Sequence, residues 1–165
     1  MPGVYLELKG SALVALNKAR DEVKKRASNV LNADYELRDS TATDFKLTNP
    51  AFLFNVTTAS NWNTLVNNQT INNNRWIALY GLSYPETAPL ISELKITTGG
   101  GVKMWRNVQH VPFTQDKVEF FDPVIIDQNT GFTLEAYNRG ATTATGHQLI
   151  LFGVTAEKRG MTLTY

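Results

Sequence analysis

Asp127, Asn129 and Gly131, in the stretch FFDPVIIDQNTGFTLEAYN (120–138), put side-chain oxygens at alternate positions ahead of a glycine. A calcium loop begins this way, because the cation takes oxygen ligands from alternate residues and the chain must turn sharply around it. The likeness ends early: such a loop needs further ligands and a bidentate acid at its twelfth position, where this chain has Asn138. The same residues also make a turn, since Asp and Asn side chains bond nearby backbone and Gly131 supplies freedom in φ. DQNTG is therefore read as the bend between the apolar runs VII and FTLEAY, with Asp122 before Pro123 marking a second corner.

Imidazole chemistry would have to use His110 or His147, the chain's two histidines. The sequence has no HxH pair, no glycine, histidine and glutamate spacing of a metal-binding cupin, and no GxSxG elbow. With no cysteine there is no thiolate nucleophile, disulfide or cysteine-held metal. TTGGGVKMW (97–105) has three glycines but lacks the Lys and Ser or Thr of a phosphate loop, so it reads as a hairpin connection. Next to it, Met104 and Trp105 must point to opposite faces of a regular strand, one to the core and one outward. Trp76 and Tyr137 could stack on a sugar or a base, although aromatic residues in a β-domain more often build its core. The expectation is a chain without catalytic residues, cofactor or metal.

These residues need elements to position them. Ser11 to Asn32 is predicted to be helical: Leu13, Leu16, Val23, Ala27 and Val30 recur at spacings of three and four if Arg20 takes one place in the stripe, and Ser11 is the expected N-cap. That stripe packs either on its own domain or against a copy or neighbouring protein. From Tyr35 onward the texture changes to short strands between turn residues: DYELRD, FLFNVTT, RWIALYGLSY, SELKITTG, GVKMWRNVQHV, DKVEFF, DPVIID, GFTLEAYN, HQLILFGVTA and MTLTY. Alternation places Phe52, Phe54 and Val56 on one face, and Phe132, Leu134 and Ala136 on another, while the continuous run 149–152 suits a strand buried on both sides. This density of strands with one helix predicts a mainly β fold. The specific expectation is an antiparallel jelly-roll β-sandwich (35–165) preceded by an N-terminal arm and amphipathic α-helix (1–34).

The Asn-rich segment TTASNWNTLVNNQTINNNRW (57–76) reads as a long surface excursion with one helical turn near Trp62 to Val66, and Trp62, Asn67, Asn68 and Trp76 are its candidate contact residues. Asn55 and Asn68 head tripeptides of the glycosylation pattern. A net charge of +1 with scattered basic residues gives no reason to expect nucleic acid. No apolar run approaches the roughly 20 residues of a membrane span, and the N-terminus lacks a secretory n-region.

Taken together, RWIALYGLSY, SELKITTGGGVKMWRNVQ, DPVIIDQNTGFTLEAYNRGA and HQLILFGVTAEKRG resemble the jelly-roll capsid proteins of tailed phages and related viruses, above all their decoration or cement proteins. The resemblance runs from Arg75 to Tyr165 and lies in texture and strand order. It implies a non-enzymatic structural protein of the virion, made in the host cytoplasm and often trimeric, that binds and reinforces a shell of major capsid protein. The family has no shared catalytic residues. The resemblance also implies that the helix reaches across the lattice, giving Leu13, Leu16, Val23 and Val30 a partner. The alternative is a carbohydrate- or receptor-binding β-sandwich that uses Trp62, Trp76 and the loop asparagines. A jelly-roll enzyme would require His110 and an acid to converge in a pocket.

Overall fold

The computed structural model describes residues 10–161. Its elements in chain order are α1 (Ser11–Leu31), β1 (Tyr35–Asp39), β2 (Leu53–Val56), β3 (Asn61–Thr70), β4 (Arg75–Ser83), β5 (Ile91–Thr98), β6 (Gly101–Asn107), β7 (Val118–Ile126), β8 (Gly131–Asn138), β9 (Ala144–Gln148) and β10 (Ile150–Lys158). Two four-stranded antiparallel sheets have the orders β1-β10-β4-β7 and β3-β8-β5-β6. The pair β2-β9 forms a short ladder where the chain passes between the sheets. Set that ladder aside and eight strands remain, ordered first-eighth-third-sixth and second-seventh-fourth-fifth. This is the jelly roll, with the core between two sheets of alternating inward residues. Phe45, Ile77, Leu79, Leu82, Leu94, Ile96, Phe132 and Leu134 are among the fully buried side chains that fill it.

The helix packs on its own domain. Ala12, Ala15, Leu16, Ala19, Val23 and Ala27 form its buried stripe. All but Ala12 lie against Trp76, Ala78 and Tyr80 of β4 and Val154 and Ala156 of β10, with Phe120 and Phe152 beside them. Small alanines let the helix approach a sheet face already occupied by large rings, and this shifts the seam from the one predicted. Leu16 and Val23 are covered by the chain's own sheet, whereas Leu13 (45% exposed) and Val30 (53%) face away from it. Arg20, placed in the stripe from sequence, is exposed. Ser11 begins the helix instead of capping it; Gly10, at φ 63°, precedes it, and Asn32, at φ 55°, ends it.

Several strand expectations change in detail. DKVEFF and DPVIID form one strand, β7, because it lies at a sheet edge where Pro123 need not donate a hydrogen bond. Two extra residues around Asp122-Pro123 bulge out between the pairs Leu79–Val124 and Gly81–Phe120, so this is no corner. HQLILFGVTA divides between β9 and β10 at Leu149. Half of the Asn-rich segment is the edge strand β3, not an excursion with a helical turn. Its irregularities are register shifts on either side of Val66, and Asn68 adopts a positive φ of 43° within them. Gly99 and Gly100, both at positive φ, close the β5–β6 hairpin between the paired residues Thr98 and Gly101. Of MTLTY only Met161 lies within the described residues.

Candidate functional site

The stretch with the strongest chemical signal serves the helix. Asp127 accepts a hydrogen bond from Arg26 Nη1 at 2.6 Å, and Asp122 one from Lys18 at 3.0 Å. The two cations are eight residues apart, about 12 Å along a helix, so the bulge and the end of β7 hold α1 at two points. The DQNTG bend carries β7 of one sheet into β8 of the other. Asn129 supplies its left-handed residue, at φ 57°, and Thr130 Oγ1 donates to Asp127 O at 2.6 Å. Gly131, expected to supply freedom in φ, instead makes room: the side-chain oxygen of Asn68 occupies the space that a Cβ would take. Among the described residues no group of three or more His, Cys, Asp or Glu side chains gathers as metal ligands would.

His110 meets an acid, Glu119, at 3.4 Å, but on the surface: the imidazole is more than half exposed, and Glu119 also accepts from Arg106 at 2.9 Å. His147 is buried beside Tyr84, Nε2 to OH 2.7 Å. The N–H of Ile91 donates to that hydroxyl at 2.8 Å, and the ring tautomer sets which of the Tyr84 hydroxyl and His147 Nε2 donates to the other. Burial lowers the His147 pKa against the opposing charge of Glu86, and burial raises that of Tyr84 to about 12. A neutral His bonded to a protonated Tyr, with no nucleophile, makes a structural pair.

Among the described residues, the largest buried charge cluster joins β1, β4 and β10. Arg38 of β1 donates to Asp44 at 2.6 and 2.8 Å and to Glu157 of β10 at 2.7 and 3.2 Å. Arg75 of β4 adds Nε to Glu157 at 2.8 Å. Burial alone would raise the Asp44 pKa; the hydrogen bonds from Arg38 and the Thr41 N–H, with the charges of Arg38 and Arg75, overcome it and hold the carboxyl below its ordinary value. Arg38, Asp44 and Arg75 line an open depression of about 490 Å³ that also includes Lys46, Gln69 and Met161. An Asp held ionised by guanidinium groups is poorly suited to proton transfer near neutrality.

The outward face of the second sheet is different. Register sets Thr64, Glu135, Lys95 and Trp105 in one row across β3, β8, β5 and β6, and Trp62, Tyr137, Glu93 and Asn107 in the next. The Trp62 and Trp105 rings reach toward each other from opposite edges, with centroids 5.7 Å apart and edge to face, and Trp62 meets Tyr137 at 5.5 Å in the same way. Lys95 Nζ sits 4.3 Å from the Trp62 ring centre and 5.5 Å from that of Trp105, and pairs with Glu135 at 3.0 Å. Tyr137 OH donates to Ser60 O at 3.2 Å. Trp105 remains 62% exposed while Met104, one residue back, is buried, so the tryptophan takes the outward side of the strand.

No family model matches this chain. No curated protein sequence does either. Among solved structures, the C-terminal CBM6 of LamC, a marine laminarinase from Zobellia galactanivorans, is similar over 74% of this chain and 100% of its own, at 8% identity and a TM-score of 0.32. A likeness of that degree says nothing about what this chain binds.

The expected contact residues are therefore scattered. Trp76, 3% exposed, lies under α1 and belongs to no loop surface. Trp62 joins the aromatic face, and Asn67 and Asn68 are exposed on the bulged strand beyond it. Another residue of the Asn-rich segment, Asn63, is buried: its side chain accepts from the N–H groups of Thr57 and Thr58 and donates to Thr58 O and Asn61 O. Lys95 and Glu135 went unremarked in the sequence. Alternation in SELKITTG and GFTLEAYN already sets them opposite core residues, but only the order of the sheet brings them beside Trp62 and Trp105.

Proposed function

We propose that this chain is a non-catalytic structural protein of a virion, which attaches as a trimer to a shell of major capsid protein and reinforces it. The observation that carries the reading is the jelly-roll strand order, an architecture common to viral capsid proteins, lectins and cupins. A cupin-type enzyme needs a convergent set of imidazoles and acids. Here His110 is at the surface and His147 is committed to Tyr84. The helix side of the molecule offers an attachment surface: Val14 is 54% exposed, and it lines an open groove of about 340 Å³ with Ser11, Ala15, Phe120, Phe121 and Asp122, beside the edge of β7. A trimer using such a groove on each copy would engage the lattice at several points, so linked weak contacts would add to a firm attachment.

The test pairs light scattering on the purified protein with sedimentation against emptied capsids of the virus that encodes it. A solution mass three times that of the chain, with saturable co-sedimentation, is expected. A monomer that stays in the supernatant at every capsid concentration would overturn the reading.

A further inference from the structure

We propose that the outward face of the second sheet is a binding site for a neutral carbohydrate, with a sugar ring seated on Trp105. The inference stands apart from capsid attachment, because it uses the face of the sandwich opposite α1.

Three observations carry it. Trp105 projects into solvent two residues past a bulge at Lys103, yet its ring is held in place: Trp62 meets it edge to face at 5.7 Å, and Lys95 stands 5.5 Å from its centre. A large aromatic surface kept exposed and already ordered loses little entropy when a ligand covers it. The flat ring has a natural partner in the C–H face of a pyranose, whose polarised hydrogens meet the electron-rich face of the indole while its hydroxyls point sideways.

The surroundings fit those hydroxyls. Glu93 and Asn107 face each other in the row beside Lys95 and Trp105, so Glu93 is a diagonal neighbour of the tryptophan on the same side of the sheet. Glu93 makes no ion pair among the described residues. Its carboxylate can accept from hydroxyls, and the Asn107 amide, whose oxygen already accepts from the Gln109 N–H at 2.9 Å, has its NH2 left to donate. A few directional polar groups around an aromatic surface are the usual composition of a small-ligand site.

The Lys95–Glu135 pair and the neighbouring Glu93 favour an uncharged ligand over an anionic one. Lys95 and Glu135 neutralise one another at 3.0 Å, and Glu93 leaves the cluster of Lys95, Glu135 and Glu93 with an excess of negative charge. A phosphate, sulfate or sialic acid would have to displace Glu135 from Lys95 and approach Glu93. An uncharged sugar disturbs neither.

The experiment titrates the full chain with a panel of neutral tetra- to hexasaccharides of gluco, manno and galacto configuration, together with sulfated and sialylated glycans, and follows binding by calorimetry. At least one neutral oligosaccharide is expected to bind saturably. Trp105→Ala should weaken it about tenfold or more while lowering the melting temperature by only about 2–4 °C, and Glu93→Gln should weaken it several-fold; Leu37→Ala, on exposed β1 of the other sheet, should leave it intact. Failure of every neutral sugar would overturn the proposal. So would binding indifferent to Trp105→Ala, or a preference for the charged glycans.

Discussion

On the first sheet the outward residues include Trp76, Tyr80, Phe120, Phe152 and Val154, and α1 lies over them; on the second, Lys95, Thr97, Thr133 and Glu135 alternate with a buried row, and three aromatic rings stand among them. Both faces carry tryptophan, so residue type does not separate them. What separates them is the company. A face rich in apolar side chains at successive outward positions must be covered, and the alanine stripe of α1 is narrow enough to do it. A face of charged and polar side chains such as Lys95, Glu135 and Glu93 can stay in water, and its aromatic rings then stand exposed among them. Both inner faces build the core, but only the outward face of the first sheet is covered, by α1, while that of the second stays in water.

That division can be broken most directly at the buried charges. Glu157→Ala leaves Arg38 and Arg75 without their shared carboxylate inside the first sheet, and should cost about 3–5 kcal/mol in urea denaturation. A loss below about 1 kcal/mol would mean that the cluster is wet and stabilises little. The tryptophans give the sharpest contrast between faces. Trp76→Ala should cost about 3–5 kcal/mol as a buried ring is lost, against about 1 kcal/mol for Trp105→Ala, which loses one edge-to-face contact and part of a cation–π interaction. Equal costs would erase the distinction. Within the helix, Leu16→Ala should cost about 2–3 kcal/mol and Leu13→Ala less than about 0.5 kcal/mol; the reverse order would show that α1 docks through the other seam.

The smallest effect is a pH dependence from the Tyr84–His147 pair in the core. Burial lowers the His147 pKa below 6.5, so its contribution is complete above that value and declines as pH falls, because the unfolded chain takes up the proton first. Tyr84 runs the other way. Its pKa is raised from 10.0 to about 12, so its contribution is complete below pH 10 and declines as pH rises toward 12. This pair contributes no slope between these limits, and His147→Gln should remove part of the acid-side decline. A wild-type curve with no fall between pH 6.5 and 5 would show that the imidazole titrates equally well in both states.

Much of the fold was legible because its signals are local. Apolar recurrence at three and four residues marks α1, two-residue alternation marks β5 and β8, and paired glycines mark the β5–β6 turn. The errors were local conflicts that tertiary structure resolved differently. Asparagine density in 57–76 indicated a loop, but a bulged edge strand also uses residues at positive φ, and Asn68 supplies one. Pro123 indicated a corner, but an edge strand tolerates it. The helix stripe was drawn through the largest side chains, Leu13 and Val30 among them, whereas a sheet face crowded with rings selects alanine.

The chain's own order of residues thus determined that it would be a β-sandwich with one helix, since periodicity and turn chemistry act within a few residues. Tertiary structure alone decided which side of the helix is buried, why Asp122 and Asp127 face Lys18 and Arg26, and how Trp62, Lys95 and Trp105 come to share one face. Those partners are brought together by the order of strands in a sheet, as Arg38 and Glu157 are across 119 positions of sequence. No local pattern encodes such a meeting; it follows from the packing of the sandwich as a whole.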